Sequence, residues 1–165
     1  KALNETNGDM EKAMDYLREK GLAAAEKKAG RIAAEGIVSD FVSGNVGVII
    51  EVNSETDFVA KNDEFQTFVK TLAEVVATKN PETVEDLLKL NYAGSDMLVE
   101  DMLREKILTI GENMSIRRFC RYEGPIATYI HAGGRIGVIV QAENALEGDA
   151  YEAARDAAMQ IEIFG

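Results

Sequence analysis

The sequence contains few of the residues on which several classes of protein depend. Its 165 residues include one cysteine, one histidine, two prolines and no tryptophan. Because Cys120 is alone, we expect neither an internal disulfide nor a zinc site built from cysteines, and this usage is typical of a reducing cytoplasm. No uninterrupted apolar run is longer than residues 46–50, whereas a membrane-spanning helix needs roughly 20 apolar residues. We therefore expect a cytoplasmic protein without membrane contact.

Positive charge is also scarce. The chain has 18 Lys and Arg residues against 29 Asp and Glu residues, which gives a formal net charge of −11. Such a surface disfavours direct binding to nucleic acid, because that binding requires positive charge to release counterions from the phosphates. Residues 1–36 carry as many basic as acidic side chains, so the negative excess lies in residues 37–165. We interpret this shift, which coincides with a change of hydrophobic pattern, as a domain boundary.

The opening of the chain is predicted to be helical. Asp9 is suited to cap a helix over residues 10–20, where apolar side chains recur at helical spacing, and Gly21 is predicted to end it. Residues 22–36 are rich in alanine and lysine and have too few large apolar side chains for a core. We expect a connecting helix there, broken at Gly30.

Two β-hairpins are predicted further along. Residues 37–43 and 46–53 flank a Gly-Asn turn, and residues 126–131 and 135–142 flank a Gly-Gly turn. Each hairpin leads into a helix, and the similar sequences of the two hairpins indicate a weak internal duplication. Between them we predict a strand over residues 114–122.

The helices predicted between and after the hairpins complete an α+β fold. One begins after Asn62, and the others cover residues 82–90, 95–110 and 147–160. The first has an apolar stripe formed by Phe65, Phe68, Val69, Leu72, Val75 and Val76. We expect antiparallel sheets covered on one face by helices.

Candidate catalytic residues are few. His131 stands at a predicted hairpin tip, where a polar turn residue is more common than a general base, and the sequence does not identify a second residue for a catalytic pair. Cys120, in a strand, is more often a small buried side chain than a nucleophile. No glycine-rich phosphate loop with its lysine is present. We therefore expect no enzyme activity, no cofactor and no metal. A third alternative is an enzyme whose anionic substrate is held by four arginines: Arg117, Arg118, Arg121 and Arg135. Arginines in an acidic domain, however, usually balance neighbouring carboxylates.

The segment around Phe58 is unusual because this aromatic residue lies outside the helical stripe and among acidic or small residues. Two placements are open. In the more common one, Phe58 packs beneath the sheet and Asp57 caps a turn. In the other, Phe58 projects beside a carboxylate, as the anchor residue of a protein interface does.

Four stretches of the chain carry a resemblance to a known family. They are KKAGRIAAEG (27–36), EVNSETDFVAKNDEF (51–65), IGENMSIRRF (110–119) and YIHAGGRIGVIV (129–140). In that order they resemble the bacterial translation elongation factor Ts family. The opening, ALNETNGDMEKAMDYL (2–17), is similar to the amino-terminal module of that family, a small three-helix fold of the ubiquitin-associated type.

The resemblance implies a division of the chain. Residues 1–28 would form a partial helical module, residues 29–124 the amino-terminal subdomain of a core, and residues 125–165 a truncated carboxy-terminal subdomain. We expect a fragment without the first helix of the module and without the end of the core. The last stretch, QIEIFG (160–165), departs from the family pattern.

The resemblance also implies a guanine-nucleotide exchange factor whose partner is the GTPase elongation factor Tu. Asp57 and Phe58 correspond to the family's Asp-Phe pair, which enters the partner near its magnesium and phosphate site and favours the nucleotide-free state. Ile110, Gly111 and His131 correspond to further contact residues. The alternative is a non-catalytic helical adaptor that binds a partner through residues 2–21, with the α+β part as a scaffold.

Overall fold

The computed structural model describes residues 1–164. Gly165 lies outside the described residues, and it is the last residue both of the predicted second subdomain (125–165) and of the stretch QIEIFG. Twelve elements follow one another along these residues. The helices are α1 (Ala2–Glu5), α2 (Met10–Lys28), α3 (Asp57–Ala60), α4 (Asp63–Lys79), α5 (Val84–Leu88), α6 (Val99–Ile110) and α7 (Asp149–Phe164). The strands are β1 (Glu35–Ser43), β2 (Val46–Ser54), β3 (Met114–Glu123), β4 (Ile126–His131) and β5 (Ile136–Gln141).

The strands form two antiparallel sheets. One has the order β1-β2-β3, and the other is the β4-β5 hairpin. Both predicted hairpins are confirmed, and together with the helices they confirm the α+β class. β2 is the central strand of the larger sheet, and its residues alternate between two covered faces.

The first covered face of β2 packs against α4. Val48, Ile50 and Val52 are fully buried and belong to one cluster with the α4 side chains. The predicted apolar stripe is confirmed, since all six of its residues are buried: Phe65, Phe68, Val69, Leu72, Val75 and Val76. Asn62 caps the helix as predicted, because its side-chain oxygen accepts the backbone N–H of Phe65 at 3.1 Å.

The second face of the large sheet is covered by the β4-β5 hairpin. Two glycines permit this close approach: a Cβ on Gly47 would lie 2.5 Å from Cγ2 of Ile126, and a Cβ on Gly137 would lie 2.5 Å from Cγ1 of Val38. The hydroxyl of Thr128 donates to the carboxylate of Asp40 across the same contact. The sequence predicted helices on one face only, and the structure adds a sheet on the other. α7 in turn packs against β4 and β5.

Several predicted helix boundaries were wrong. Gly21 does not end α2, which continues to Lys28. Gly21 instead lets α2 approach α6, since a Cβ at this position would lie 3.2 Å from Cβ of Arg104. α5 is shorter than predicted, α7 extends to Phe164, and α6 begins at Val99. α6 starts late because residues 91–98 form a turn closed by a bridge between Asn91 and Leu98.

The close packing of the two sheets predicts that Gly137 tolerates no larger side chain. We expect Gly137→Ala to lower the free energy of unfolding by about 1–3 kcal/mol, because the added methyl group overpacks against Val38, Ile130 and Ile49. Urea denaturation followed by circular dichroism measures this. The matched control is Gly30→Ala, where no atom lies within 4 Å of the new Cβ. Equal stability of the two variants would contradict the packing of the hairpin on the sheet.

Candidate partner-binding site

The single-turn helix α3 presents Phe58 to solvent. Val59 and Ala60 are buried against the sheet, whereas Phe58 is 81% exposed. The helix begins at Thr56, whose hydroxyl oxygen accepts the N–H of Val59 at 3.4 Å. The more common placement inferred from the residues was therefore wrong on both points: Phe58 does not pack beneath the sheet, and Thr56 rather than Asp57 is the cap. The inner side of one helical turn is already occupied by Val59 and Ala60, which leaves Phe58 on the outer side.

Asp57 stands beside Phe58 as a carboxylate. Its Oδ2 lies 2.7 Å from Nζ of Lys61, one turn later, and its side chain is 42% exposed. The hydrogen bond from Lys61 lowers the pKa of Asp57, and the positive charges of Lys61 and then Arg135 add to the effect. Asp57 is therefore ionised at neutral pH. An apolar ring and a negative charge lie side by side on an exposed turn.

Ile110 and Gly111 lie next to this turn in space, although they are far from it in sequence. α6 ends at Ile110, which packs partly against the core, and Gly111 takes the left-handed conformation with φ of 91°. The chain then presents Glu112, whose carboxylate accepts the backbone N–H groups of Glu55 and Thr56 at 3.1 and 3.0 Å. These bonds attach the end of α6 directly to the start of α3.

The tip of the β4-β5 hairpin lies at the same end of the large sheet. The N–H of Val38 donates to the carbonyl oxygen of Gly134 at 2.6 Å, close to where β1 pairs with the end of β2. His131 is half-buried at the start of this tip, and its Nδ1 lies 3.0 Å from the hydroxyl of Tyr129. The structure therefore gathers Asp57, Phe58, Ile110, Gly111 and His131 around the end of the sheet where β2 leads into α3.

The residues that hold this turn in place were not singled out from the sequence. The carboxylate of Glu112 accepts the N–H groups of Glu55 and Thr56, and the carboxylate of Glu55 accepts the N–H of Asn113. No periodic pattern predicts these bonds, because the bonded residues are 56 to 58 positions apart in the sequence. The one signal that could have indicated Glu112 is its place inside the IGEN stretch.

A cleft between the two sheets has a volume of about 560 Å³. Apolar side chains and two arginines line it, and burial raises the pKa of the Cys120 thiol at its wall. Arg117 and Arg118 pair with Glu51, and Arg121 pairs with Glu123, as expected for arginines of an acidic domain. Within residues 1–164 no group of three or more His, Cys, Asp or Glu side chains is placed to hold a metal ion.

No helix in the described part of the chain combines the length and the apolar character needed to cross a membrane.

Comparison with known proteins identifies the family. The family model described as Elongation factor TS matches residues 55–163. A relative named Elongation factor Ts from Trichlorobacter lovleyi is 57% identical over 148 residues, which cover 86% of this chain and 48% of the relative.

Two other relatives with the same name show the same extent of similarity. The protein of Clostridium perfringens is 56% identical over 169 aligned positions, covering 98% of this chain and 55% of the relative. The protein of Halothermothrix orenii is 48% identical over 166 positions, covering 98% of this chain and 56% of the relative. The chain thus spans about half the length of the curated relatives it matches. With most of its length inside the match, this chain belongs to the elongation factor Ts family.

Proposed function

We propose that this chain acts as a guanine-nucleotide exchange factor for the GTPase elongation factor Tu. The observation that carries the proposal is the exposed Phe58 on a short helix whose neighbouring residues are buried. A large aromatic side chain held in water beside a carboxylate is typical of an interface anchor. The proposal also agrees with the family to which the chain belongs.

Exchange of this kind requires binding and no covalent step. A GTPase holds its nucleotide through a phosphate loop and Mg²⁺, with switch segments ordered around the metal. An exchange factor that binds the nucleotide-free arrangement more tightly than the loaded one lowers the affinity for nucleotide by the same factor. This chain would therefore need only a surface that is complementary to the nucleotide-free partner.

We propose that Phe58 acts as a wedge near the magnesium and phosphate site of the partner. Full burial of a phenylalanine ring stabilises by about 1.5–3 kcal/mol. Since each ~1.4 kcal/mol corresponds to a tenfold change in affinity, one ring supplies roughly one to two decades of coupling.

The other members of the site extend the same contact in this proposal. Asp57 would hold the displaced segment of the partner through hydrogen bonds or charge, and its ionised state at neutral pH suits that role. Ile110 and Gly111 would contact the partner beside the wedge, and His131 would do so from the hairpin tip. Their common position at one end of the sheet supports a single continuous surface.

We further propose that the chain is organised as a helical module over residues 1–28, a core subdomain over 29–124 and a second subdomain over 125–165, and that it acts in the cytoplasm. The separate sheets of the two core parts support this division.

The wedge proposal predicts the effect of shortening Phe58. We expect Phe58→Ala to slow GDP release from elongation factor Tu by about 10- to 100-fold at saturating chain, because the ring supplies the coupling. Stopped-flow release of a fluorescent GDP analogue measures the rate. Tyr122→Ala is the matched control: it removes an exposed aromatic ring at the opposite end of the sheet and should leave the rate unchanged.

The adaptor alternative has one observation in its favour and predicts the reverse. Met10 is 64% exposed on α2 and, with Met14, forms an apolar strip on the helical module. If the chain is an adaptor that works through residues 2–21, Met14→Glu abolishes partner binding and Phe58→Ala leaves both binding and GDP release unchanged. That pair of results would contradict the wedge.

The contact between Lys61 and Asp57 predicts a low titration midpoint for this carboxyl. The pKa of Asp57 is lower in the folded chain than the ordinary aspartate value of about 3.9, so its ionisation stabilises the fold at pH values above about 3.9. That stabilisation is lost as the pH falls through the lowered pKa. NMR titration of the free chain should give a midpoint below that value, and Lys61→Gln should raise it. Lys79→Gln, at an exposed position on α4, is the control. A midpoint unaffected by Lys61→Gln would refute this account.

A further inference from the structure

The carboxylate of Glu112 is hydrogen-bonded to the residues that precede the Phe58 turn, although no pattern in the sequence predicts this contact. Its Oε2 accepts the backbone N–H groups of Glu55 at 3.1 Å and Thr56 at 3.0 Å. Its Oε1 accepts the hydroxyl of Thr56 at 2.6 Å. One carboxylate therefore receives three hydrogen bonds from two successive residues, and both residues directly precede Asp57.

Glu55 makes the reciprocal bond. Its Oε1 accepts the backbone N–H of Asn113 at 2.6 Å and lies 3.5 Å from Nη1 of Arg31. The side-chain amide of Asn113 donates to the carbonyl oxygen of Arg31 at 2.8 Å. Three segments that are distant in sequence, around residues 31, 55–56 and 112–113, are thus joined by one polar network.

The bond from Thr56 to Glu112 also fixes the start of α3. A threonine hydroxyl has one proton to donate and lone pairs with which to accept. Since the proton goes to Glu112, the lone pairs are left for the N–H of Val59, which caps the helix. A helix of four residues has too few internal bonds to persist alone, so its order depends on contacts of this kind.

We propose that Glu112 is a positioning residue for partner binding. It clamps the turn at residues 55–56, holds Thr56 in its capping orientation and so sets the direction in which Phe58 projects. This inference rests on the proposed function, because the direction of Phe58 matters only if the ring enters a partner. It adds a residue that acts through Phe58 without itself needing to touch the partner.

Hydrogen exchange on the free chain tests the clamp directly. We expect Glu112→Ala to lower the protection of the Glu55, Thr56 and Val59 amides about tenfold or more, since it removes bonds to a charged acceptor. Glu112→Gln keeps an oxygen for the two amides, but its NH₂ group would donate to Thr56 and compete with the cap. This variant should therefore expose Val59 more than Glu55 or Thr56. Glu74→Gln, an exposed carboxylate on α4, is the control.

Exchange kinetics test the consequence for function. A misdirected ring should lower the plateau rate of GDP release from elongation factor Tu about tenfold in Glu112→Ala and less in Glu112→Gln. A loss of folded chain alone would shift the half-saturating concentration and leave the plateau. Val76→Ala, a core substitution near the far end of α4, serves as the control for that outcome.

The results separate failure of the clamp from failure of the proposed function. Unchanged amide protection in Glu112→Ala would overturn the positioning role. So would an unchanged plateau rate of GDP release in Glu112→Ala when Phe58→Ala does slow release. If elongation factor Tu releases GDP as fast with the Phe58→Ala variant as with the parent chain, the proposed function fails, and the role of Glu112 in binding fails with it. We expect reduced amide protection together with a reduced plateau rate, with the plateau lowest in Glu112→Ala, intermediate in Glu112→Gln and highest in the parent chain.

Discussion

Burial of β2 on both faces is the constraint on which the rest of the structure depends. Val48, Ile50 and Val52 face α4, whereas Gly47 and Ile49 face the β4-β5 hairpin. Because side chains alternate along a strand, a register shift of one residue would exchange the two packed faces, so the pairing of β2 with its neighbours is strongly specified. The same strand ends at Ser54 and delivers the chain to the Phe58 turn. The packed sheet therefore sets where the Phe58 turn begins.

Polar contacts complete what the core begins. Beyond the end of β2, Val59 and Ala60 pack into the core, and carboxylate bonds from Glu112 and Glu55 to backbone N–H groups hold the turn that precedes and supports Phe58. Bonds to charged acceptors are stronger than neutral ones, and they are directional. Phe58 can remain exposed on such a turn without depending on its own burial for order. An exposed ring on an ordered support would lose less conformational entropy on binding than a ring on a flexible loop.

Local patterns predicted the parts of the fold that local physics decides. The hairpins and the stripe of α4 follow from residue periodicity, turn residues and a cap, and the structure confirms them. The passage of α2 through Gly21 could not be predicted, because it depends on the approach of α6. The sequence left the exposure of Phe58 open, because a four-residue helix has no periodic pattern that would distinguish its buried side from its exposed side. Glu112 was missed because its partners lie 56 and 57 positions away.

We propose that this chain accelerates nucleotide exchange on a GTPase through the surface around Phe58. The most direct measurement is the release of a fluorescent GDP analogue from elongation factor Tu, with the chain added in sub-stoichiometric amounts. From this proposal we expect each chain molecule to promote the release of many GDP molecules, at a rate that rises with chain concentration. A release rate that stays at the spontaneous value at every chain concentration would contradict it.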